Sequence, residues 1–229
     1  MNYFDTLEKR RRHVNIYNDK VPDKKHIDNA LWKAWKTTPG KNSAIAYKIH
    51  VWGPDKEIHK EAIHSLCVKS HKRAEDRAVE RGFADKTQSG EENPFYEHIK
   101  KNPYLFTIHQ RVAKPNPFYE SKIKTGHFFD QGYEDYMPKI VDSVAVEVGL
   151  YAANLGYYLL EEGLDISYNS CFVRDIDTWH KRGITQVKHR PLLMMSCGYA
   201  EIYRWQKLEA WGKSHMDYKP EMDEIVEWM

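Results

Sequence analysis

The sequence predicts an α+β domain in which a small mixed or antiparallel sheet is flanked by helices and a long buried helix lies at the centre. The first observation is that residues 144–160 are almost all apolar or small, which is typical of a helix covered on every side. The second is that residues 44–52, 104–112 and 192–197 resemble strands, with helices or long connections between them. A chain of 229 residues suffices for one such domain, which we assign to residues 1–229.

Two helices and a short extended piece precede the first strand. A short helix is predicted over residues 5–12, and residues 14–16 alternate between apolar and polar side chains as an extended segment does. Pro22 suits the first turn of the next helix, because an amide hydrogen is not needed there. The Pro-Gly pair at 39–40 ends that helix. Its inner face is predicted to consist of Ile27, Leu31, Ala34 and Trp35.

A long charged helix and an irregular segment follow the first strand. The helix is predicted over residues 56–81, and Gly82 ends it. Residues 113–140 contain three prolines, several aromatic residues and no periodicity. Long irregular stretches inside compact domains are usually functional or mobile. We therefore interpret this segment as a lid, or insert, over a site.

The predicted central helix begins after Asp142, whose carboxylate can accept an amide hydrogen of the first turn. Gly163 ends it. Four small residues share one stripe at helical spacing: Ala145, Gly149, Ala152 and Gly156. Interior glycines cost about 1 kcal/mol each relative to alanine. We interpret that cost as offset by close helix packing, for which a subunit boundary is one place.

The chain after the central helix is predicted to add two strands, a turn and two short helices. Residues 164–167 are a short strand, and residues 168–172 are a turn whose backbone amides can meet a ligand. Helices are predicted over 176–182 and 203–211, on either side of the strand at 192–197. The end of the chain, 223–229, is apolar enough for an outlying strand.

The amino-acid composition limits the classes of binding partner and the compartment that we expect. The chain carries 35 basic and 33 acidic residues, a formal charge of +2, which does not indicate a nucleic-acid partner. The three cysteines form no C-x-x-C pair, which favours a reducing compartment. The N-terminus has no apolar region typical of a signal peptide, and no apolar run has membrane-spanning length. We expect a cytoplasmic protein without a membrane or nucleic-acid partner.

Two polar motifs near the N-terminus suit an anionic heterocycle. The run Arg10-Arg11-Arg12-His13 can bind a phosphate through charge-assisted hydrogen bonds, although such a run is more often a solvated surface. Asn42 follows the Pro-Gly turn, and its amide can donate to and accept from the edge of a heterocycle. The alternative for Asn42 is a turn residue that bonds its own backbone.

Other chemistries find little support in the residues. Histidines His59 and His64 are five positions apart, on different faces of the charged helix, so no metal site is expected. No acyl-transfer, P-loop or Rossmann motif is present. Cys171 could be a nucleophile, but we favour a buried small hydrophobe. The backbone amides of Ser170 and Cys171 are the more interesting groups at that turn.

A series of motifs occurs in one order along most of the chain: Arg11-Arg12-His13-Val14-Asn15, Val21-Pro22-Asp23, Thr38-Pro39-Gly40-Lys41-Asn42, the strand at 44–52, Asn154, Gly163-Leu164-Asp165, Pro191 to Tyr199, and Lys219-Pro220 before Glu224-Ile225-Val226. In this order they resemble the FMN-dependent nitroreductase family. The resemblance implies a nitroreductase-like α+β fold and an obligate homodimer with one FMN at each interface. It also implies a C-terminal arm at about 213–229 that joins the partner's sheet.

The resemblance also implies a set of cofactor-binding residues. Arg11 and His13 would contact the FMN phosphate with Lys219, and Asn42 would bond the pyrimidine edge. The backbone of Ser170 and Cys171 would donate a hydrogen bond to flavin N5, which makes these two the catalytic positions. The full set is Arg10, Arg11, Arg12, His13, Asn15, Asn42, Asn154, Ser170, Cys171, Lys213 and Lys219.

Some of these positions depart from the family pattern. His13 stands where serine is usual and Asn15 where a basic residue is usual, and Arg10 or Lys213 could compensate. Residues 44–46, Ala-Ile-Ala, stand where the family often has Gln-Pro-Trp.

The function implied is an oxidoreductase that passes hydride from NAD(P)H through flavin N5 to an electron-poor acceptor (a nitroaromatic, quinone or enone). Aromatic residues of the 113–140 segment would roof the site, or equally would pack against the partner chain. The alternatives are flavin-dependent reductive dehalogenation, flavin breakdown, and a dimer that binds FMN without catalysis.

Overall fold

The computed structural model describes residues 14–40, 45–82, 97–111, 121, 124–125, 141–185, 189–203, 221–227 and 229. Its helices are α1 (Lys24–Thr37), α2 (Glu57–Glu80), α3 (Glu97–Lys100), α4 (Val141–Glu161) and α5 (Ile176–Lys181). Its strands are β1 (Val14–Tyr17), β2 (Tyr47–Trp52), β3 (Tyr104–Gln110), β4 (Asp165–Asn169), β5 (Pro191–Gly198) and β6 (Ala200–Tyr203). This mixture of helices and strands confirms the predicted α+β class.

The sheet at the centre has the order β2-β3-β5-β4, and every neighbouring pair is antiparallel. Strands β1 and β6 form a separate antiparallel pair. Asp165, the first residue of β4, joins this pair to the sheet, because it accepts hydrogen bonds from the Ala200 amide (3.0 Å) and the Tyr203 hydroxyl (2.8 Å). Strands β2 and β4 are the edges of the sheet among the elements described here.

Helices cover both faces of the sheet. Alternate residues of β3 show this directly, because Phe106 and Ile108 pack with α1 and α4 while Leu105 packs with α2 and α5. The first layer is fixed by the α1 residues Ile27, Ala30 and Ala34 and by α4. The second is built from Ile63, Leu66, Cys67, Ile99, Phe172, Val173, Trp179, Ile184 and Met194.

Helix α1 buries one apolar side chain fewer than the sequence pattern predicts. Asp23 caps it by accepting the Lys25 amide hydrogen at 2.9 Å. Trp35 was expected on the inner face but is 53% exposed, so that expectation is wrong. Its position lies one residue beyond the buried Ala34, which is about 100° around the helix, and the Lys36 ammonium group lies over its ring at 4.8 Å.

Helix α4 is the central helix that the sequence predicts. Val144, Val148 and Leu155 are buried on the side that faces the sheet and α1. The opposite side of its first half is exposed in the single chain, with Val146 at 63% and Leu150 at 46% exposure. The exposed apolar face of α4, as we name it, consists of Ala145, Val146, Gly149, Leu150 and Ala153.

The small-residue stripe on α4 divides between two environments. Ala145 and Gly149 lie on the exposed apolar face, and a Cβ added to Gly149 would meet no atom within 4 Å. Ala152 and Gly156 are buried against their own chain, because the Tyr168 hydroxyl crosses the helix and donates to the Ala152 carbonyl at 2.9 Å. A subunit boundary is therefore needed to explain only the first pair.

Two expectations at the C-terminal end change. Tyr203, placed by the sequence in a helix over 203–211, belongs to β6 instead, and the rest of that helix lies outside the described residues. Within 223–229, the predicted outlying strand is wrong at its start, since Met222–Glu224 form a short 3-10 helix. The Glu221 amide donates to the Glu224 carboxylate at 3.0 Å and closes that turn. Across the described ranges, no helix combines the length and apolarity that a membrane crossing requires.

Candidate functional site

Of the eleven residues predicted to bind the cofactor, the structure describes three in full and the backbone of one more, Asn15. Asn154 lies on α4, and Ser170 and Cys171 follow β4. The others lie outside the described residues: Arg10, Arg11, Arg12, His13, Asn42, Lys213, Lys219 and the side chain of Asn15. The lid at 113–140, apart from residues 121, 124 and 125, and residues 213–220 of the arm predicted at 213–229 also lie outside them.

The turn after β4 presents two exposed residues on a fixed base. Ser170 and Cys171 are exposed, whereas the next two residues, Phe172 and Val173, are buried in the core beside α2. The Val173 amide donates to the Leu66 carbonyl of α2 at 3.3 Å. The chain therefore leaves the sheet at the turn and returns to the core within two residues.

Asn169, the last residue of β4, closes this turn from beneath. Its side-chain Oδ1 accepts the Cys171 amide hydrogen at 2.6 Å, a bond to the backbone two residues on that is typical of asparagine turns. Its Nδ2 lies 4.0 Å from the Cys67 Sγ on α2, and the residue is only 8% exposed. Burial raises the pKa of the Cys67 thiol, so this neighbour is neutral.

Helix α5 braces the other side of the turn. The Trp179 indole donates to the Val173 carbonyl at 2.5 Å, and its ring meets Phe172 edge-on at 5.7 Å between centroids. The Arg174 guanidinium lies over the Phe172 ring at 5.6 Å, and one of its nitrogens donates to the Ser170 carbonyl at 3.4 Å. Asp175 caps α5 by accepting the Thr178 amide hydrogen at 2.8 Å.

Cys171 does not fit the interpretation that we favoured for it. Its side chain is exposed, while Cys67 and Cys197 are the buried thiols. The expectation of a buried small hydrophobe is therefore wrong for Cys171. The cause is local, because the bond from Asn169 turns residues 170 and 171 outward before the chain re-enters the core.

Asn154 holds the end of helix α1. Its amide donates to the Thr38 hydroxyl at 3.0 Å, and that hydroxyl donates to the Ala34 carbonyl at 2.7 Å. The Tyr158 hydroxyl donates to Thr37 at 3.1 Å one turn further along α4. These bonds position the start of the segment that carries Asn42, and direct contact between Asn154 and a cofactor stays a prediction.

A group of polar side chains, Glu147, Tyr47 and Arg111, lies near the start of β2. Glu147 is buried on α4, the Tyr47 and Tyr151 rings are 5.3 Å apart, and the Arg111 side chain donates to the carbonyls of Ile45 (3.1 Å) and Tyr47 (3.0 Å). Burial, with a smaller contribution from the Glu147 carboxylate, raises the pKa of Tyr47 to about 12. The phenol is therefore neutral and available as a hydrogen-bond donor at pH 7.

This group was not predicted from the sequence, although one signal for it exists. Glu147 is the only charged residue within 144–160. A lone carboxylate in an apolar helix is seldom buried without a polar partner. Arg111 and Tyr47 carried no such signal, since their contacts join residues about 65 positions apart.

A histidine cluster lies on the other face of the sheet. The rings of His50 and His109 stack at 4.6 Å, and His189 lies 6.3 Å from His50. Thr107 accepts the Trp52 indole hydrogen at 2.9 Å and contacts His109 Nε2 at 2.8 Å, while His109 Nδ1 lies 3.4 Å from the His189 carbonyl. These contacts assign the His109 proton to Nδ1, because a carbonyl can only accept.

Desolvation by burial lowers the pKa of His109 to about 3, and the neighbouring imidazoles act in the same direction. Within the part of the chain that the structure describes, no three histidine, cysteine or carboxylate side chains are arranged to hold a metal ion. His109 is therefore a neutral, buried side chain at pH 7.

The chain matches solved structures along its whole length. It matches a protein of Staphylococcus epidermidis ATCC 12228 assigned as an NAD(P)H:FMN oxidoreductase, with 13% identity, a TM-score of 0.64, and coverage of 100% of this chain and 96% of that one. It also matches a protein of Exiguobacterium sibiricum 255-15 assigned as a nitroreductase in complex with FMN, with 12% identity, a TM-score of 0.62, and coverage of 100% and 98%. This chain has the nitroreductase fold.

The nitroreductase fold is shared with one enzyme of a different activity. Iodotyrosine deiodinase, solved with FMN and 3-iodo-L-tyrosine, matches with 17% identity, a TM-score of 0.59, and coverage of 89% of this chain and 92% of that one. No model of a known protein family and no curated protein matches the sequence. The fold is thus common to FMN-bound proteins that carry different reactions.

Proposed function

We propose that this protein is an FMN-dependent oxidoreductase that takes hydride from NAD(P)H and passes it to an electron-poor acceptor such as a nitroaromatic, a quinone or an enone. The observation that carries the proposal is the match over the whole chain to nitroreductase-fold structures, among them FMN complexes. The three cysteines are free in the structure, in keeping with a cytoplasmic enzyme.

The described residues fit a planar cofactor at the turn after β4. Two exposed residues, Ser170 and Cys171, sit on a base fixed by Asn169, Val173 and Trp179, which is the rigidity that orienting a cofactor requires. When bound, FMN supplies an atom, N5, that accepts and releases hydride. The Ser170 amide would donate a hydrogen bond to that atom, because the Cys171 amide hydrogen is donated to Asn169 Oδ1 in the structure. No side-chain nucleophile is needed.

The remaining roles fall to residues whose chemistry suits them. Arg11 and His13, with Lys219, would bind the phosphate by charge-assisted hydrogen bonds. Asn42 would bond the pyrimidine edge, and the Asn154–Thr38 bond would position the segment that carries it. Further cofactor contacts are proposed from Arg10, Arg12, Asn15 and Lys213.

We also propose that the protein is a homodimer joined through the exposed apolar face of α4. Val146 and Leu150 expose large side chains beside Gly149, where nothing lies within 4 Å of an added Cβ. A contiguous apolar helix face of this kind is typical of an interaction site. The arm at 213–229 would reach the partner's sheet, and the 113–140 segment would cover the site.

Reductive dehalogenation is the second candidate, and the likeness to iodotyrosine deiodinase favours it. The two activities separate in one assay. Under the first, anaerobic NADH or NADPH bleaches the bound flavin and a nitroaromatic or quinone restores its colour. Under the second, 3-iodo-L-tyrosine restores the colour and releases iodide.

The visible spectrum of the purified full-length protein tests the core of the proposal. We expect flavin absorption in the protein as isolated, or after addition of FMN and removal of the excess. Protein that stays colourless after this treatment would contradict the proposal. Flavin that no nicotinamide and no chemical acceptor reduces or reoxidises in the protein would instead favour a non-catalytic FMN dimer.

A further inference from the structure

An exposed arginine, Arg174, lies beside the turn after β4. One of its guanidinium nitrogens donates to the Ser170 carbonyl at 3.4 Å, and its guanidinium carbon lies 5.6 Å from the centre of the Phe172 ring. Phe172 is buried, and Trp179 packs edge-on against it at 5.7 Å, so the ring beneath the arginine is fixed. The guanidinium group is therefore held close to the turn, although the side chain is exposed.

This cation is close to the amide that would meet flavin N5. The amide nitrogen and the carbonyl oxygen of one residue lie within about 4 Å of each other, because only three bonds join them. With the 3.4 Å contact to the Ser170 carbonyl, a nitrogen of Arg174 lies within about 8 Å of the Ser170 amide nitrogen. That distance is comparable to the length of a substituted aromatic ring. A small molecule that reacts at N5 can therefore reach Arg174 with its far end.

Most of the hydrogen-bonding capacity of Arg174 is available to a ligand. A guanidinium group has five N–H donors, and the Ser170 carbonyl takes one of them. The adjacent carboxylate, Asp175, accepts the Thr178 amide hydrogen at 2.8 Å instead. Within the described ranges, no carboxylate forms an ion pair with Arg174. The side chain thus presents a planar, permanently charged set of donors, which matches the geometry of carboxylate and phosphate groups.

We propose that Arg174 binds an anionic group of the substrate that reacts at the flavin. Its guanidinium group holds a carboxylate or a phosphate beside the turn, while the reacting part of the same molecule lies at N5. Two sources carry this chemistry: an acceptor that bears a carboxylate, and the pyrophosphate of the nicotinamide dinucleotide. This inference rests on the proposed FMN function, and it gives that function a class of substrate.

The test uses two pairs of probes that differ in charge. The acceptors 4-nitrobenzoate and 4-nitrobenzamide have nearly the same shape, and only the first is anionic at pH 7. The donors NADH and reduced nicotinamide riboside share the dihydronicotinamide ring, and only the first carries phosphate. Anaerobic bleaching of the bound flavin gives the half-saturating concentration of each donor. Reoxidation of photochemically reduced flavin gives the half-saturating concentration of each acceptor.

Three variants change the charge or the geometry of Arg174. Arg174→Met removes the charge and keeps an unbranched stem over Phe172, Arg174→Lys keeps the charge without the planar group, and Arg174→Glu reverses the charge. The matched control is Arg182→Met. Arg182 is also exposed, but its guanidinium group donates to the Ala62 carbonyl at 3.3 Å and to the Ser65 hydroxyl on α2.

We expect Arg174→Met to raise the half-saturating concentration of an anionic probe by about tenfold, as for the loss of one charge-assisted hydrogen bond, and to leave its neutral counterpart unchanged. An effect on 4-nitrobenzoate identifies the acceptor as the source of the anion, and an effect on NADH identifies the dinucleotide. Arg174→Lys should lie between the Met variant and the natural protein, and Arg174→Glu should lose at least as much as the Met variant. Arg182→Met should leave all four probes unchanged.

The outcomes separate this role from the proposed function. If the flavin is reduced and reoxidised but Arg174→Met changes no probe, or changes the anionic and neutral probes equally, Arg174 binds no anionic group and the FMN proposal stands. An equal effect of Arg182→Met would show that surface charge in general is responsible, and the inference would be wrong. If the natural protein takes up no FMN, the proposed function fails and the inference fails with it. Should Arg174→Met not fold, the Lys and Glu variants decide by the same comparison of anionic with neutral probes.

Discussion

The contact between Gly156 and β4 gives the sharpest stability prediction. A Cβ added to Gly156 would clash with the Tyr168 hydroxyl and would lie 2.8 Å from Ile166 Cδ1, inside a packed interface. The Tyr168 hydroxyl cannot simply move away, because it donates to the Ala152 carbonyl at 2.9 Å on the same helix. Gly156→Ala must therefore displace a hydrogen-bonded side chain or separate α4 from β4.

The expected loss follows from two costs. Overpacking a filled core by one methyl group costs about 1–3 kcal/mol, and a lost hydrogen bond adds about 1 kcal/mol. Alanine regains about 1 kcal/mol of helix propensity. We expect Gly156→Ala to lower the free energy of unfolding by about 1–3 kcal/mol.

Urea unfolding followed by circular dichroism measures this loss, and Gly149→Ala is its matched control. Both glycines lie on α4, but nothing lies within 4 Å of a Cβ added at Gly149. The control should therefore not lose stability within the chain. A Gly156→Ala protein as stable as the natural one would refute the packing of Tyr168 across α4. A loss of stability in the control would instead report on the proposed dimer interface, where Gly149 lies.

The other predictions concern the dimer, the cofactor and pH. Leu150→Glu places a charge on the exposed apolar face of α4 and should shift the protein to monomer in analytical ultracentrifugation, whereas Ile58→Glu, at a site 81% exposed on α2, should not. Arg11→Ala should lower the FMN content of the purified protein far more than Lys72→Ala on the charged helix, and equal content would contradict the phosphate role of the N-terminal arginines. For His109 the folded pKa of about 3 lies below the unfolded value of about 6.5, so the unfolded chain binds the proton first and stability falls as pH drops through that window. Urea unfolding should show a loss of about 2 kcal/mol between pH 7 and pH 5, and an unchanged midpoint would show that His109 is not buried in its neutral form.

The fold could be predicted because its signals are local. The alternation of residues 44–52 indicates β2, and the apolar run of 144–160 indicates α4. Trp35 was assigned to the wrong face because an exposed tryptophan and a buried one look alike in a periodic pattern. The tail changed for a related reason, since the Glu221–Glu224 bond closes a turn that apolar content alone does not reveal.

The approximate position of the candidate site could be predicted from the sequence, but the contacts that build it could not. A turn was predicted at residues 168–172, and the structure places Tyr168 and Asn169 in β4, so the chain leaves the strand at Ser170. The contact beneath this turn joins Asn169 to Cys67, across 102 positions of sequence, and the Arg111–Ile45 contact before β2 spans 66 positions. No local pattern encodes such pairs, since they depend on which helix covers which face of the sheet.

The distribution of apolar surface on α4 links the fold to the proposed dimer. In the second half of the helix, Leu155 and Gly156 are buried by their own chain, and Tyr168 packs across the helix there. The first half leaves Val146 and Leu150 exposed. A methyl or methylene group left in water forgoes about 0.8 kcal/mol of stabilisation, so an uncovered face of this kind is costly in a free monomer. Because Asn154, which holds the start of the Asn42 segment, lies on the same helix, covering this face with a second copy would bring that copy next to the proposed flavin site.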